Sequence, residues 1–142
     1  MRFVFDTSVL IGYLRDSTDI AADALFLATE RGEAFVSLIS LMELYLPQNK
    51  SDWEIAREIK AIRELCQRLG IPIIPASGTS QRRALEVLKR HRSLLGKNAL
   101  SDSIILSIGA ARRAYLVTRD SKWFHIMPGK VLSPEDLLRR FR

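Results

Sequence analysis

Cysteine is almost absent from this 142-residue chain, which carries Cys66 alone. One thiol cannot close an internal disulfide or build a multi-thiolate zinc site, so a disulfide scaffold and a zinc finger are both excluded. Histidine is nearly as scarce. His91 and His125 stand apart, in KRHRS and WFHIM, with no second His or Cys at metal-ligand spacing. No apolar run approaches the roughly 18 residues that cross a bilayer, and the opening MRFVFDTSVL interrupts its short apolar stretch with Asp6. The expectation is a cytoplasmic protein with no membrane span and no secretory leader. GxGxxG, P-loop and GxSxG patterns are missing too, which argues against dinucleotide binding, P-loop NTPase chemistry and serine hydrolysis.

What the chain does have is an ordinary globular composition, 47% hydrophobic and 27% charged, at a length that suits one domain over residues 1–142 with a sizeable core. The net charge of +6 is unevenly placed. Residues 79–119 hold nine bases (Arg82, Arg83, Lys89, Arg90, Arg92, Lys97, Arg112, Arg113, Arg119) against two acids, a net of +7, while the remainder nets −1. A basic stretch of this kind suits a polyanion, because each neutralised phosphate releases condensed counterions. A solvated helix face is the plainer reading of the same charges.

Short β-like runs alternate with helical patterns. Strands are expected over Arg2–Asp6, Ala34–Ser37, Ile71–Pro75, Ala114–Thr118 and, more briefly, Lys130–Leu132. Helices are expected over Asp19–Arg31, Leu38–Leu46 with Pro47 ending it, Asp52–Leu69, Ser80–Leu95, Ser101–Arg113 and a last one capped by Ser133. Within Asp52–Leu69 the residues Ile55, Ile59, Ile62, Cys66 and Leu69 recur at spacings of four and three, one apolar face closed by Gly70. The two prolines place the third strand near an edge. Strands separated by helices need crossover connections, so the fold class is α/β, a parallel sheet of four to five short strands with helices on both faces.

In such a sheet, ligands sit outside the carboxyl ends of the strands. Asp6 ends the first strand in FVFDTS, Glu43 follows the second in SLISLMEL, and Asp120 follows the fourth in LVTRD. Asp102 opens the helix leading into that fourth strand, in ALSDSII. Each has a structural reading as well. Asp6 suits the cap of a helix beginning near Thr7, Asp120 the cap of the following turn, and Asp102 a first helical turn where the dipole favours an anion. Glu43 suits a capping box with Ser40, but it is surrounded by Leu41, Met42, Leu44, Tyr45 and Leu46, which leaves its helix little exposed face. Converging carboxylates repel and raise one another's pKa unless a hard cation neutralises them, and oxygen-only ligands select Mg²⁺ or Mn²⁺. Such an ion acidifies bound water and stabilises charge on a phosphoryl oxygen, so a nearby basic stretch would name a phosphodiester substrate. Trp123 and Phe124 are open to two readings, base stacking or core.

With FVFDTSVL, SLISLMEL, ALSDSIILSIGA and LVTRDSKWF in this order, the sequence resembles the PIN-domain nucleases, and within them the VapC-like toxins of prokaryotic toxin–antitoxin pairs. The resemblance spans nearly the whole chain. It implies a small parallel sheet and a Mg²⁺- or Mn²⁺-dependent endoribonuclease whose metal is held by Asp6, Glu43, Asp102 and Asp120, with Thr7, Ser8 and Thr118 assisting. It also implies an RNA substrate, a homodimer and a cognate antitoxin covering the groove, while the basic segment offers Arg82, Arg83, Arg90, Arg92 and Arg119 as candidate RNA contacts. One departure is visible: many members carry an acid three residues after the position of Asp120, where this chain has Trp123, which weakens the case for a second metal site. Two other classes compete. One is a noncatalytic RNA-binding PIN-like module, with an RNA-processing nuclease outside any toxin–antitoxin pair as a further variant. The other is a phosphoaspartyl domain, disfavoured because Ser8 stands where its second acid is needed.

Overall fold

The computed structural model describes the chain apart from residues 17–18, 46–48, 96–98 and 128, and apart from the side chains of Arg92, Leu94, Leu95 and Ala99. Five strands, β1 (Arg2–Phe5), β2 (Glu33–Ser37), β3 (Ile73–Ile74), β4 (Tyr115–Val117) and β5 (Val131–Leu132), form one parallel sheet in the order β3-β2-β1-β4-β5. The first strand in sequence is therefore central, with Phe5 level with Val36 on one side and Val117 on the other. Around the sheet lie α1 (Thr7–Arg15), α2 (Ile20–Arg31), α3 (Leu38–Glu43), α4 (Asp52–Leu69), α5 (Gly78–Leu95), α6 (Ala99–Ala111), α7 (Lys122–Ile126) and α8 (Pro134–Phe141).

The period-two alternation of β1 divides the core. Phe3 and Phe5 enter one cluster with Val9, Leu10, Leu25, Ile62 and Leu137, contributed by α1, α2, α4 and α8. Val4 points the other way, into Phe35, Ile105, Ile108, Leu116 and Trp123, contributed largely by α6 and α7. Both faces are thus buried, which is why β1 reads as a continuous apolar run without alternation. On the first face Phe3, Tyr115 and Phe141 meet with ring centroids 5.5–5.9 Å apart, tying the last helix to the central strands.

Local signals explain most boundaries. Ser51 and Glu54 form a reciprocal capping box at the start of α4, and Gly70 ends it at φ 67°, a conformation glycine enters without penalty. Ser133 and Asp136 repeat the box on α8, with Pro134 at its first position. At Gly32 the need is space: a Cβ would lie 2.0 Å from the Met1 carbonyl oxygen, where the chain passes the start of β1.

Four expectations need adjusting. The third strand shrinks from Ile71–Pro75 to Ile73–Ile74, because Pro72 and Pro75 lack the N–H that would extend the ladder; it is the edge strand, as expected. The helix expected over Leu38–Leu46 ends at Glu43, with Leu44 and Tyr45 in a turn, and Leu46 and Pro47 lie outside the described residues. Its face is not closed off either: Met42 and Tyr45 are each 57% exposed. Finally α7 has no counterpart among the expected helices, being a five-residue element too short for a periodic signal.

Candidate active site

Parallel strands put their carboxyl ends on one edge of the sheet, and the four acids gather there. Asp6 directly follows β1 and caps α1, its Oδ1 accepting the Thr7 N–H at 2.9 Å. Glu43 closes the short α3 that follows β2, and Asp120 lies three residues beyond β4. Because α6 leads into β4, its N-terminal turns, with Asp102, reach the same edge. Asp102 and Asp6 are both 6% exposed.

Three small hydroxyls give their single proton to these carboxylates. Thr118 Oγ1 and Ser8 Oγ donate to Asp6 Oδ2 at 2.7 and 3.1 Å, and Thr7 Oγ1 donates to Glu43 Oε1 at 3.0 Å. For two of them the backbone uses the acceptor side: the Asp120 N–H donates to Thr118 Oγ1 and the Arg119 N–H to Ser8 Oγ, both at 3.0 Å. Thr7, Ser8 and Thr118 thus each hold one of these carboxylates, and Ser8 and Thr118 link the turn after β1 to the turn after β4. The capping box weighed for Glu43 is absent. Ser37 caps α3 instead, and Ser40 Oγ is buried with no hydrogen-bond partner among the described residues.

The carboxylates are electrostatically coupled. Burial raises the pKa of Asp6 above the carboxylate range, against the hydrogen bonds from Thr118, Ser8 and Thr7, and the charge of Asp120 adds to the rise. Burial likewise raises Glu43 to about 7, with Asp6 and Asp102 as repelling neighbours. Asp102 is raised by burial first, and by Asp6 and Asp120, although Lys122 pulls the other way. Asp102 being held up despite its cation shows that desolvation and like charge dominate here.

Lys122 is a site residue with no distinguishing mark in the sequence. Its ammonium sits 2.5 Å from Asp102 Oδ2 and 3.1 Å from Asp120 Oδ2. Burial works against its charge, but the hydrogen bonds to Asp102 and Asp120 outweigh that and raise its pKa. The only available signal is a lysine two residues after a strand-end acid, unremarkable until α7 turns it inward.

Among the described residues, no three Asp, Glu, His or Cys side chains stand ready to clasp one ion. The four acids expected as metal ligands are therefore close enough to feel one another's charge without being set in coordinating positions. The cause is visible: each carboxylate is turned to a protein donor, Asp6 to Thr118 and Ser8, Glu43 to Thr7, Asp102 and Asp120 to Lys122. The donor set itself fits a hard divalent cation, being oxygen only, largely buried and mutually repelling.

The basic segment is not one surface. Arg82, Arg83 and Arg90 are exposed on α5, and Arg83 and Arg90 line a groove with His91, Ser107 and Met127 between α5, α6 and α7. The side chain of Arg92 lies outside the described residues. Arg112 stacks on the Phe35 ring, 4.6 Å from its centroid. Arg119 is held by Asp19 at 2.5 Å and Glu135 at 3.6 Å, joining the starts of α2 and α8. Of the two readings for Trp123, the core is observed: it is fully buried, and partly buried Phe124 packs on the same cluster.

The raised acids make a stability prediction. Glu43 titrates near 4.5 when unfolded and near 7 when folded, so it favours the folded state fully below pH 4.5, and that favour is lost as pH rises through 7. In EDTA, Glu43→Gln is expected to stabilise the protein at pH 8 by about 1–2 kcal/mol, a figure discounted for solvent screening at a partly exposed group. At pH 4 the gain should vanish. Melting curves at the two pH values check this, and equal shifts at both would sink it.

A family model described as "PIN domain" matches residues 3–129. A toxin–antitoxin complex from Klebsiella pneumoniae contains a chain 27% identical, with a TM-score of 0.66 over 92% of this chain and 96% of that one. VapBC2 from Rickettsia felis bound to a promoter DNA fragment gives 23% identity and a TM-score of 0.68 over 94% and 98%. DNA-bound VapBC from Salmonella typhimurium gives 20% and 0.67 over 94% and 98%. No curated protein matches at significant similarity.

Proposed function

The chain belongs to the PIN-domain family, and from that membership we propose that it is a Mg²⁺- or Mn²⁺-dependent endoribonuclease, the toxin of a toxin–antitoxin pair. The observation that carries the reading is the set of four coupled carboxylates on the carboxyl edge of the sheet, with buried Asp6 fixed by three donors. Asp6, Glu43 and Asp102 would hold the ion, and Asp120 would do so directly or through water. A bound divalent ion supplies Lewis acidity and an acidified water for attack on phosphorus, with a 5′-phosphate product. The protein orients the site: Thr118 and Ser8 fix Asp6, Thr7 fixes Glu43, and no side chain is needed as a covalent nucleophile. Arg82, Arg83 and Arg90 on α5 are the proposed RNA contacts, with Arg92 beside them in sequence; Arg119, engaged by Asp19 and Glu135, is the weakest.

The Klebsiella pneumoniae complex supports a protein partner, as does exposed apolar surface on α3, the turn after it and α4, where Leu38, Met42, Tyr45 and Trp53 lie open. We assign that surface to the contact with a cognate antitoxin or a second copy. Among the described residues no helix is long and apolar enough to cross a membrane, and the proposed location is the cytoplasm.

Purified protein should cut RNA with Mg²⁺ or Mn²⁺ and stop in EDTA, leaving 5′-phosphate ends. Undiminished cleavage in EDTA by a preparation free of contaminating RNase would reject the mechanism. RNA binding without metal-dependent cleavage would support the noncatalytic module. Light scattering and co-purification from the native operon test the partners: a strict monomer with no small bound protein would remove the toxin assignment alone.

A further inference from the structure

Lys122 is the first residue of α7, and two of its groups address one acid. Its N–H bonds Asp120 Oδ1 at 3.2 Å, while its ammonium reaches Asp120 Oδ2 at 3.1 Å and Asp102 Oδ2 at 2.5 Å. The chain cannot easily withdraw this charge. The next residue, Trp123, is fully buried and anchors α7 in the core, and the ammonium lies 5.7 Å from the Trp123 ring centroid, within cation–π range. The side chain is 23% exposed, Asp102's 8% and Asp120's 38%, so the pair is bridged at the floor of the site and Asp120 opens to solvent.

We propose that Lys122 is a built-in second cation: its ammonium occupies the place between Asp102 and Asp120 that a second divalent ion would need, so this site takes a single divalent ion, on its Asp6–Glu43–Asp102 side. The inference rests on the metal-nuclease reading above and deepens it. Two-metal phosphodiester sites use carboxylates shared between two ions. Here Asp102 lies near enough to Asp6, Glu43 and Asp120 to feel their charges, and its bridge to Asp120 already has a positive charge, that of Lys122. An ammonium balances one negative charge where a divalent ion balances two, and it is tethered, so no second ion has to be recruited. It also places positive charge beside any phosphate drawn to the ion, where charge develops during displacement.

Titration calorimetry with Mn²⁺ in phosphate-free buffer, on the full chain, separates the outcomes. Wild type is expected to bind about one ion. Lys122→Met keeps most of the unbranched stem and loses the charge, so it should bind about two, because Asp102 and Asp120 are then left to repel each other. Lys122→Arg should remain at about one, which separates lost charge from altered packing, and melting curves check that both variants fold. In single-turnover cleavage at low Mn²⁺ the Met variant should be about 100-fold slower and recover in part as Mn²⁺ rises. Two ions in wild type would overturn the proposal while leaving the nuclease reading standing, as would one ion in Lys122→Met. If wild type binds no ion and cuts no RNA, the nuclease reading fails, and this inference with it.

Discussion

Asp6→Asn is expected to lower RNA cleavage by about 10³-fold while leaving the protein folded. Asparagine keeps the size and one acceptor oxygen, which can still receive the Ser8 and Thr118 hydroxyls, while its NH₂ faces the Thr7 N–H and gives up that one cap bond. What disappears is the charge at the centre of the proposed ligand set, in a 6%-exposed position where it is uncomfortable without a cation. The same variant should therefore melt no lower than wild type in EDTA, and up to about 1 kcal/mol higher in stability, reversing the usual sign for a buried substitution. Single-turnover rates with Mn²⁺ and melting curves in EDTA give both readouts. Near-normal turnover would return Asp6 to the role of a helix cap, which it also fills.

Trp123→Ala should cost about 3–5 kcal/mol, a large share of the roughly 5–15 kcal/mol typical of a domain. The ring is fully buried among Val4, Phe35, Ile105, Ile108, Leu116 and Val131, and the surrounding strands and α6 cannot collapse into the gap. Trp123→Phe should cost much less, because it fills most of the space and removes an indole N–H that is buried without a partner among the described residues. The Ala variant should also cut RNA poorly, since α7 carries Lys122. Denaturant midpoints for the two variants check the ordering, and equal costs would mean that something other than the cavity destabilises the alanine variant.

Much of this is legible in the sequence, for identifiable reasons. The α/β architecture follows from alternating periodicities, and α4 is readable to its ends because Ser51, Glu54 and Gly70 mark them chemically. The four acids stand out because Asp6, Glu43 and Asp120 each follow a strand within a few residues and Asp102 opens the helix before β4, and the topology then brings those points to one edge. Lys122 is not legible, because nothing local distinguishes it from a solvated lysine; its role depends on Trp123 seating α7. The distribution of basic charge is hard to read for a related reason. A run of arginines in sequence is divided by helical rotation and chain direction, so Arg112 ends on Phe35 and Arg119 on Asp19, while Arg83 and Arg90 share a groove.

The strand order has a consequence for synthesis. Because β1 is central, it can pair with β2 as soon as residues up to 37 have emerged, yet its other edge waits for β4, which begins only at Tyr115. The growing chain therefore carries an open, apolar strand edge for most of its translation, a template for mispairing that a long-range parallel ladder closes late. The same delay splits the site: pairing of β1 with β2 can bring Asp6 and Glu43 to one edge early, whereas Asp102, Asp120 and Lys122 join them only when α6 and β4 dock. A ribosome-bound chain stalled before residue 115 should therefore lack the assembled four-acid site, and under the proposed function it should not cut RNA; the order of strands then acts as a timer for the site.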